Sequence, residues 1–360
     1  MKNRYSNLEL LRIISMFFIV MHHYAIHGSA PWANHFHPKI AMTESIYLLF
    51  LSIGKAAVVA FVLIGAYFLS EKEFKLWRIV SLCINTFVYS WLIFILLKVC
   101  NVKLPALVSG YNLWLPIPIP SNYWFVISYV YMLLLMPFLN LILSHCSKRQ
   151  ILLLLSMLFV FWCILQFLPN NKPDNINYDF FSTNNYFLFI YLIGGYIRKY
   201  YKNGSQARTL IYLIMSLAIT FMVGFLVVRY YGIYYDRLWC ISAVINDPFG
   251  IMIGVSLFLT FKNMKIKTNL VINYISKSMF GVYLIHDNSY IREFLWGKLI
   301  NTMPLASNSV KYLLYGFTIS ICVFVVCICI DIIKRLTIDP LILKEGQRLT
   351  SRVVSWSKKL

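Results

Sequence analysis

Charge is what this sequence has least of. Asp, Glu, Lys and Arg make up 13% of its 360 residues, roughly half the share usual in a globular domain. The chain is 60% hydrophobic and 17% aromatic, so a soluble fold of this length would have to cover its outside with apolar side chains. A bilayer solvates them instead. Acidic residues are the scarcest: 13, against 33 Lys and Arg, for a formal net charge of +20. The basic excess forms no patch on a polar domain, so it does not imply nucleic acid. It sits in short gaps between apolar runs, which is a topology signal.

A disulfide or zinc framework is also lacking. None of the 8 cysteines forms a Cys-x-x-Cys pair. Cys83, Cys163, Cys322, Cys327 and Cys329 lie within apolar runs, where they read as packing residues. No ligand set with metal spacing is visible, so no metal is expected. No internal repeat and no low-complexity segment stands out, which weighs against the many transporters built from repeats. The short basic start, residues 1–7, leads into an apolar run with no small-residue cleavage site. That run reads as an uncleaved first helix.

Ten apolar runs are present, near 8–27, 46–69, 79–100, 122–143, 151–168, 185–197, 209–231, 248–261, 274–296 and 310–333. Most approach the ~20 residues that cross a hydrocarbon core; those at 185–197 and 248–261 are short. The expected fold is all-α, a polytopic membrane helix bundle of about ten transmembrane helices. Ten crossings alternate the gaps between two sides. Lys and Arg number 21 on the side of residues 1–7, 70–78, 144–150, 198–208, 262–273 and 334–360, against 5 on the other. This bias makes the first side cytoplasmic, with both termini inside and the chain in the cell membrane. Residues 334–360, with Arg348, Arg352, Lys358 and Lys359 among apolar residues, read as a basic amphipathic tail on the inner leaflet. The opposite gaps hold Trp32, Tyr111, Trp114, Tyr178, Tyr234, Tyr235, Trp239 and the proline-rich stretch 115–120. These read as interface anchors, or as rings that stack on sugars.

Ionisable groups inside a bilayer are costly and mark functional candidates. The first run holds Glu9, Arg12, His22, His23 and His27. At about 100° per residue, Arg12 and His23 fall within about 20° of each other around a helix, and Glu9 lies within about 40° of His23. His22 points about 100° away, and the rise from Arg12 to His23 is roughly 16 Å. The stripe Glu9, Arg12 and His23 is therefore the candidate catalytic set. Imidazole, with an ordinary pKa of about 6.5, suits a base that takes a proton from an attacking hydroxyl. Lys72, Lys75 and Arg78 form a basic element between the second and third runs; such groups bind phosphates or anchor topology. Lys55 reads as a cation snorkelling from near a helix end. His286 and Asp287 either line a polar cavity or form a satisfied structural pair.

Glu9-Leu10-Leu11-Arg12, ten residues and then His23 resembles the leading motif of acyltransferase family 3, bacterial membrane proteins that move acyl groups to hydroxyls. Lys75-Leu76-Trp77-Arg78 resembles the family's basic Arg-x-x-Arg element, with lysine for the first arginine. The stretch from Tyr123-Trp124-Phe125 to Val130, with Pro137, is similar to its Trp-Phe helix. The stretch from Ile275 to His286, containing Phe280-Gly281-Val282-Tyr283-Leu284-Ile285-His286, is similar to its late segment. Gly65-Ala66-Tyr67 stands where Ser-Gly-Tyr is common. The four elements come in family order and span most of the chain. The resemblance implies an acyltransferase domain over residues 1–333. It implies His23 as base and Arg12, Lys75 and Arg78 as donor-holding groups, with Trp124, His286 and Asp287 at a cavity. Its donor would be acetyl-CoA or another acyl-CoA, with no permanently bound cofactor, and its acceptor a surface carbohydrate or lipid-linked glycan beside membrane lipid. A transporter or flippase for an amphipathic solute or lipid-linked sugar is the alternative, and a polymerase or glycosyltransferase a further one. Transfer of labelled acetyl groups separates them from the first reading.

Overall fold

The computed structural model describes residues 5–28, 41–101, 123–164, 183–202, 204–231, 248–300 and 302–357. Its described residues form helices joined by short connections, with no strand among them. In chain order these are α1 (Ser6–Gly28), α2 (Ala41–Leu69), α3 (Leu76–Val99), α4 (Trp124–His145), α5 (Lys148–Phe159), α6 (Thr183–Tyr200), α7 (Gln206–Tyr231) and α8 (Pro248–Asn263). After them come α9 (Leu270–Ile275), α10 (Met279–His286), α11 (Ser289–Arg292), α12 (Ser309–Thr337) and α13 (Asp339–Ser357). The chain is an all-α membrane helix bundle. The aromatic anchors expected at Trp32, Tyr111, Trp114, Tyr178, Tyr234, Tyr235 and Trp239, and the 115–120 stretch, lie outside the described residues.

Among the described residues, six of the ten expected crossings are continuous helices long and apolar enough to span a bilayer: α1, α2, α3, α4, α7 and α12. Within the described residues the others are shorter or interrupted. Residues 151–168 begin as α5 and pass into a π-helical turn at Val160–Ile164, and α8 has 16 residues. The run at 274–296 is broken most. A 3-10 turn at Ser276–Ser278 separates α9 from α10, and the helix stops at Asp287 before resuming as α11 and a π-helical turn, Glu293–Leu299. Asn288 makes that restart. Its side-chain carbonyl accepts from the Tyr290 N–H at 3.0 Å, and its amide donates to the Tyr123 hydroxyl at 2.6 Å. The Tyr123 hydroxyl donates in turn to the Leu284 carbonyl at 2.9 Å, a backbone oxygen near the end of α10. Backbone groups freed at membrane depth need such partners.

Burial follows the hydropathy. The outward faces of α7 and α12 leave Met215, Met222, Leu314 and Val326 more than half exposed, as lipid-facing side chains should be. The centre is α2, which packs on α1, α6, α7 and α8. Its Ala56, Ala57 and Ala60 are fully buried, and small residues let helix backbones come close where lipid offers no hydrophobic drive for association. Closest is Gly54: a Cβ there would lie 2.1 Å from the Cβ of His22. Gly281 does the same for α10, since a Cβ there would lie 1.9 Å from Asp331 Oδ1 on α12. Asp331 accepts from the Tyr89 hydroxyl of α3 at 2.5 Å, and Arg335 donates to Ser278 Oγ at 2.9 Å. These contacts seat α10 against α3 and α12, with α1 alongside.

Candidate active site

The close approach of α1 to α2 and α10 decides where the first-helix histidines sit. His22, His23, His286 and Asp287 are all buried, at 4%, 7%, 0% and 1% exposure. His22 turns towards α2, its Nδ1 3.1 Å from the Leu51 carbonyl. His23 turns towards α10, its Nδ1 2.8 Å from His286 Nε2. The two neighbours therefore serve different helices, as a 100° step predicts.

The proton positions along this chain follow from one carbonyl. His286 Nδ1 lies 2.6 Å from the Val282 oxygen, which can only accept, so that nitrogen carries a hydrogen. In the neutral ring His286 Nε2 is then the acceptor, and His23 Nδ1 is the donor to it. What remains on neutral His23 is an unprotonated Nε2. That nitrogen lies 3.7 Å from Asp287 Oδ1, where a proton gained by the ring would face a carboxylate. The backbone of α10 thus assigns the tautomer of a side chain on α1. His286 is fixed from its other side too, with the Trp296 indole N–H donating to its carbonyl at 3.4 Å.

Asp287 gathers further groups. Arg292 Nη1 is 3.5 Å from Oδ1 and His27 Nε2 is 4.0 Å from it. His23, His27 and Asp287 bring ligand-type atoms within 4.8 Å of one another; the two histidines share a face of α1 at i,i+4, and only packing adds Asp287 to them. The guanidinium of Arg292 faces the same carboxylate oxygen, so a protein cation stands where a metal ion would have to compete.

Two chambers flank this assembly. The His23 chamber is lined by His22, His23, Lys55, Trp124 and Tyr283 among others, and its free volume is about 20 Å³. The second is lined by Arg12, Gly65, Tyr129, Ser276 and Lys277, with a free volume of about 340 Å³. Three rings, Phe61 of α2, Phe125 of α4 and Phe280 of α10, belong to both. The stripe on α1 therefore runs from one chamber to the other. Glu9 and Arg12 are paired at 3.1 Å, and the Arg12 guanidinium carbon stands 5.8 Å from the Phe61 ring centroid.

The other expected site residues fall as follows. Arg78 donates to the Glu73 carbonyl at 2.5 Å and, with Arg12, lies within electrostatic reach of Tyr129. Lys75 is exposed at the N-cap of α3 and lines neither chamber. Trp124 lines the His23 chamber, while His286 and Asp287 stand behind it. Lys55 departs from its expected role. Instead of snorkelling outwards it stands 5.2 Å from the Trp124 ring centroid and lines the chamber with His23. A lone cation in an apolar run was the available signal for it. Phe125 and Phe280 stand in the Trp-Phe and late segments, but nothing in the sequence places them beside Phe61, because each belongs to a different helix.

A family model described as an acyltransferase domain matches residues 5–332. No curated protein matches the chain, and no solved structure does.

Proposed function

The chain belongs to the acyltransferase domain family, a membrane acyltransferase by the match over residues 5–332, and from that premise we propose that it moves an acetyl group from acetyl-CoA to a hydroxyl of a surface carbohydrate or lipid-linked glycan. The observation that carries the reading is the Val282–His286–His23 hydrogen-bond chain, which leaves Nε2 of a neutral His23 without a proton. A base needs a free lone pair at the reacting oxygen, and here the backbone supplies the tautomer that has one.

In the proposed reaction the acceptor hydroxyl gives its proton to His23 Nε2 while its oxygen attacks the thioester carbonyl carbon. A C–O bond forms and the carbonyl becomes a tetrahedral oxyanion. The C–S bond then breaks, the carbonyl re-forms, and the proton on His23 passes to the departing sulfur, giving the ester and free CoA. The imidazolium between these steps faces Asp287 at 3.7 Å. Lys55, in the same chamber, supplies positive charge for the oxyanion, the kind of fixed charge that lowers such barriers. Arg12, Lys75 and Arg78 hold the anionic donor by charge-assisted hydrogen bonds. Arg12 and Lys277, which line the larger chamber, lie close in sequence to the gaps 1–7 and 262–273, on the side that carries 21 Lys and Arg against 5, so in this reading the donor enters from the cytoplasm of a cell-membrane protein with both termini inside.

The test is incorporation of label from radiolabelled acetyl-CoA into alkali-labile esters, using membranes with and without the full chain. Label that depends on the chain and on His23 is the expected result. Label independent of the chain would refute the reading, and so would movement of intact glycan across the membrane without acyl transfer.

A further inference from the structure

The Arg12 and His23 chambers differ in free volume, about 340 Å³ against about 20 Å³, and they meet at Phe61, Phe125 and Phe280. The three rings come from three helices, and aromatic packing holds Phe61 and Phe125. Phe61 and Phe125 meet edge to face with centroids 5.9 Å apart. Phe125 also contacts Tyr283 at 5.5 Å and Phe187 at 5.4 Å, and it stacks on Tyr129 at 5.6 Å. Phe280 precedes Gly281, which has no room for a side chain against Asp331, so the backbone carrying Phe280 is fixed. Phe125 is 7% exposed. Phe61 and Phe280 are only partly buried, their open faces towards the chambers.

We infer that Phe61, Phe125 and Phe280 form a collar that gauges the length of the acyl chain, admitting the donor's thioester arm from the Arg12 chamber while the room beside His23 accepts only a very short acyl group. The inference rests on the proposal that an acyl-CoA enters from the Arg12 side. A donor whose phosphates stay with the cations of the Arg12 chamber must pass its thioester between the rings to meet His23. The apolar rings suit an arm with few charges. Past them, a free volume of about 20 Å³ is close to what a single water needs. A two-carbon acyl group fits after small side-chain shifts. Each added methylene must displace one of these three side chains, and misfit in a packed apolar site costs steeply. Phe61 and Phe280 are the adjustable members, because Phe125 is buried among other rings.

The experiment compares transfer from labelled acetyl-CoA, butyryl-CoA and octanoyl-CoA by the full chain in its own membranes, read as label incorporated per molecule of protein. The wild type should prefer acetyl over octanoyl by at least about tenfold, the scale on which apolar sites discriminate by methylenes. Phe61→Ala and Phe280→Ala should move that ratio towards one. Phe61→Leu and Phe280→Leu, which keep an apolar side chain for insertion and folding, should move it part of the way. Equal use of acetyl and octanoyl by the wild type would overturn the gauge and leave the acyl-CoA reading standing. A ratio unchanged in all four variants would overturn it in the same way. No transfer from any of the three donors would overturn the donor reading and the gauge with it.

Discussion

At one end of α1 the histidine proposed as base is buried and its proton positions are dictated by backbone. His23 is 7% exposed and bonded to a fully buried His286, which is bonded to a helix carbonyl. At the other end the cations meet open space: Lys75 and Lys277 are exposed, and Arg12 borders the larger chamber. The first arrangement suits a group that must act in one geometry on a transient species, where preorganisation lowers the barrier. The second suits groups that wait for a hydrated, charged ligand and close on it. On the proposed function one helix carries a rigid chemical end and an adaptable binding end, and substitutions at the two ends should differ in kind.

The largest effect is expected at His23. Removing a general base costs about 10²–10⁴-fold, so His23→Ala should lose most acetyl transfer, measured as label incorporated per molecule of inserted protein. Retention of full activity would remove the base from the mechanism. His286→Ala comes next. It takes away the acceptor that holds His23 Nδ1–H, a buried contact of roughly 1.5–3 kcal/mol if the ring becomes charged, and should lower the rate about 10–100-fold while CoA affinity is kept. A loss of affinity instead would erase the contrast between the ends.

At the basic end, Lys75→Ala with Arg78→Ala should weaken CoA binding roughly tenfold or more, because charge-assisted contacts are worth about 1.5–3 kcal/mol each. Calorimetry on the purified chain would read this, and unchanged affinity would assign both residues to topology alone. Neither side chain lines a chamber, and because Lys75 is exposed while Arg78 is half-buried, Arg78→Ala alone should account for more of the loss. The smallest effect on chemistry is expected from His22→Ala. His22 faces Leu51 and packs on Gly54 of α2, so its loss should lower thermal stability more than rate. A rate loss equal to that of His23→Ala would mean the two histidines share one role.

How much of this was visible in the sequence depends on range. The α1 stripe was legible because helix geometry is local: Glu9, Arg12 and His23 fall on one face by angle alone, and Glu9 and Arg12 do pair. The membrane bundle was legible from hydropathy. The partner of His23 was not, because His286 is 263 residues away and only packing brings it near. The break after His286 was hidden for another reason. Averaged hydropathy over 274–296 stays high, while the interruption depends on Asp287 and Asn288 and their contacts to Tyr123 and Arg292. Lys55 was misjudged because snorkelling is the usual fate of a lysine near a helix end. What overrides it is the Trp124 ring 5.2 Å away, presented by another helix. The collar needs three helices at once, so the motif segments that contain Phe125 and Phe280 do not reveal that the two rings meet Phe61.

The contrast between the two ends of α1 is tested most directly by acetyl-CoA saturation kinetics on His23→Ala and Arg12→Ala at matched membrane insertion. His23→Ala should lower the maximal rate and leave the half-saturating acetyl-CoA concentration unchanged, because it removes an interaction made in the transition state. Arg12→Ala should raise that concentration and retain much more of the maximal rate. If His23→Ala raises the half-saturating concentration at an undiminished maximal rate, or if both variants lose maximal rate alike with half-saturation unchanged, the division of α1 into a chemical end and a donor end is wrong.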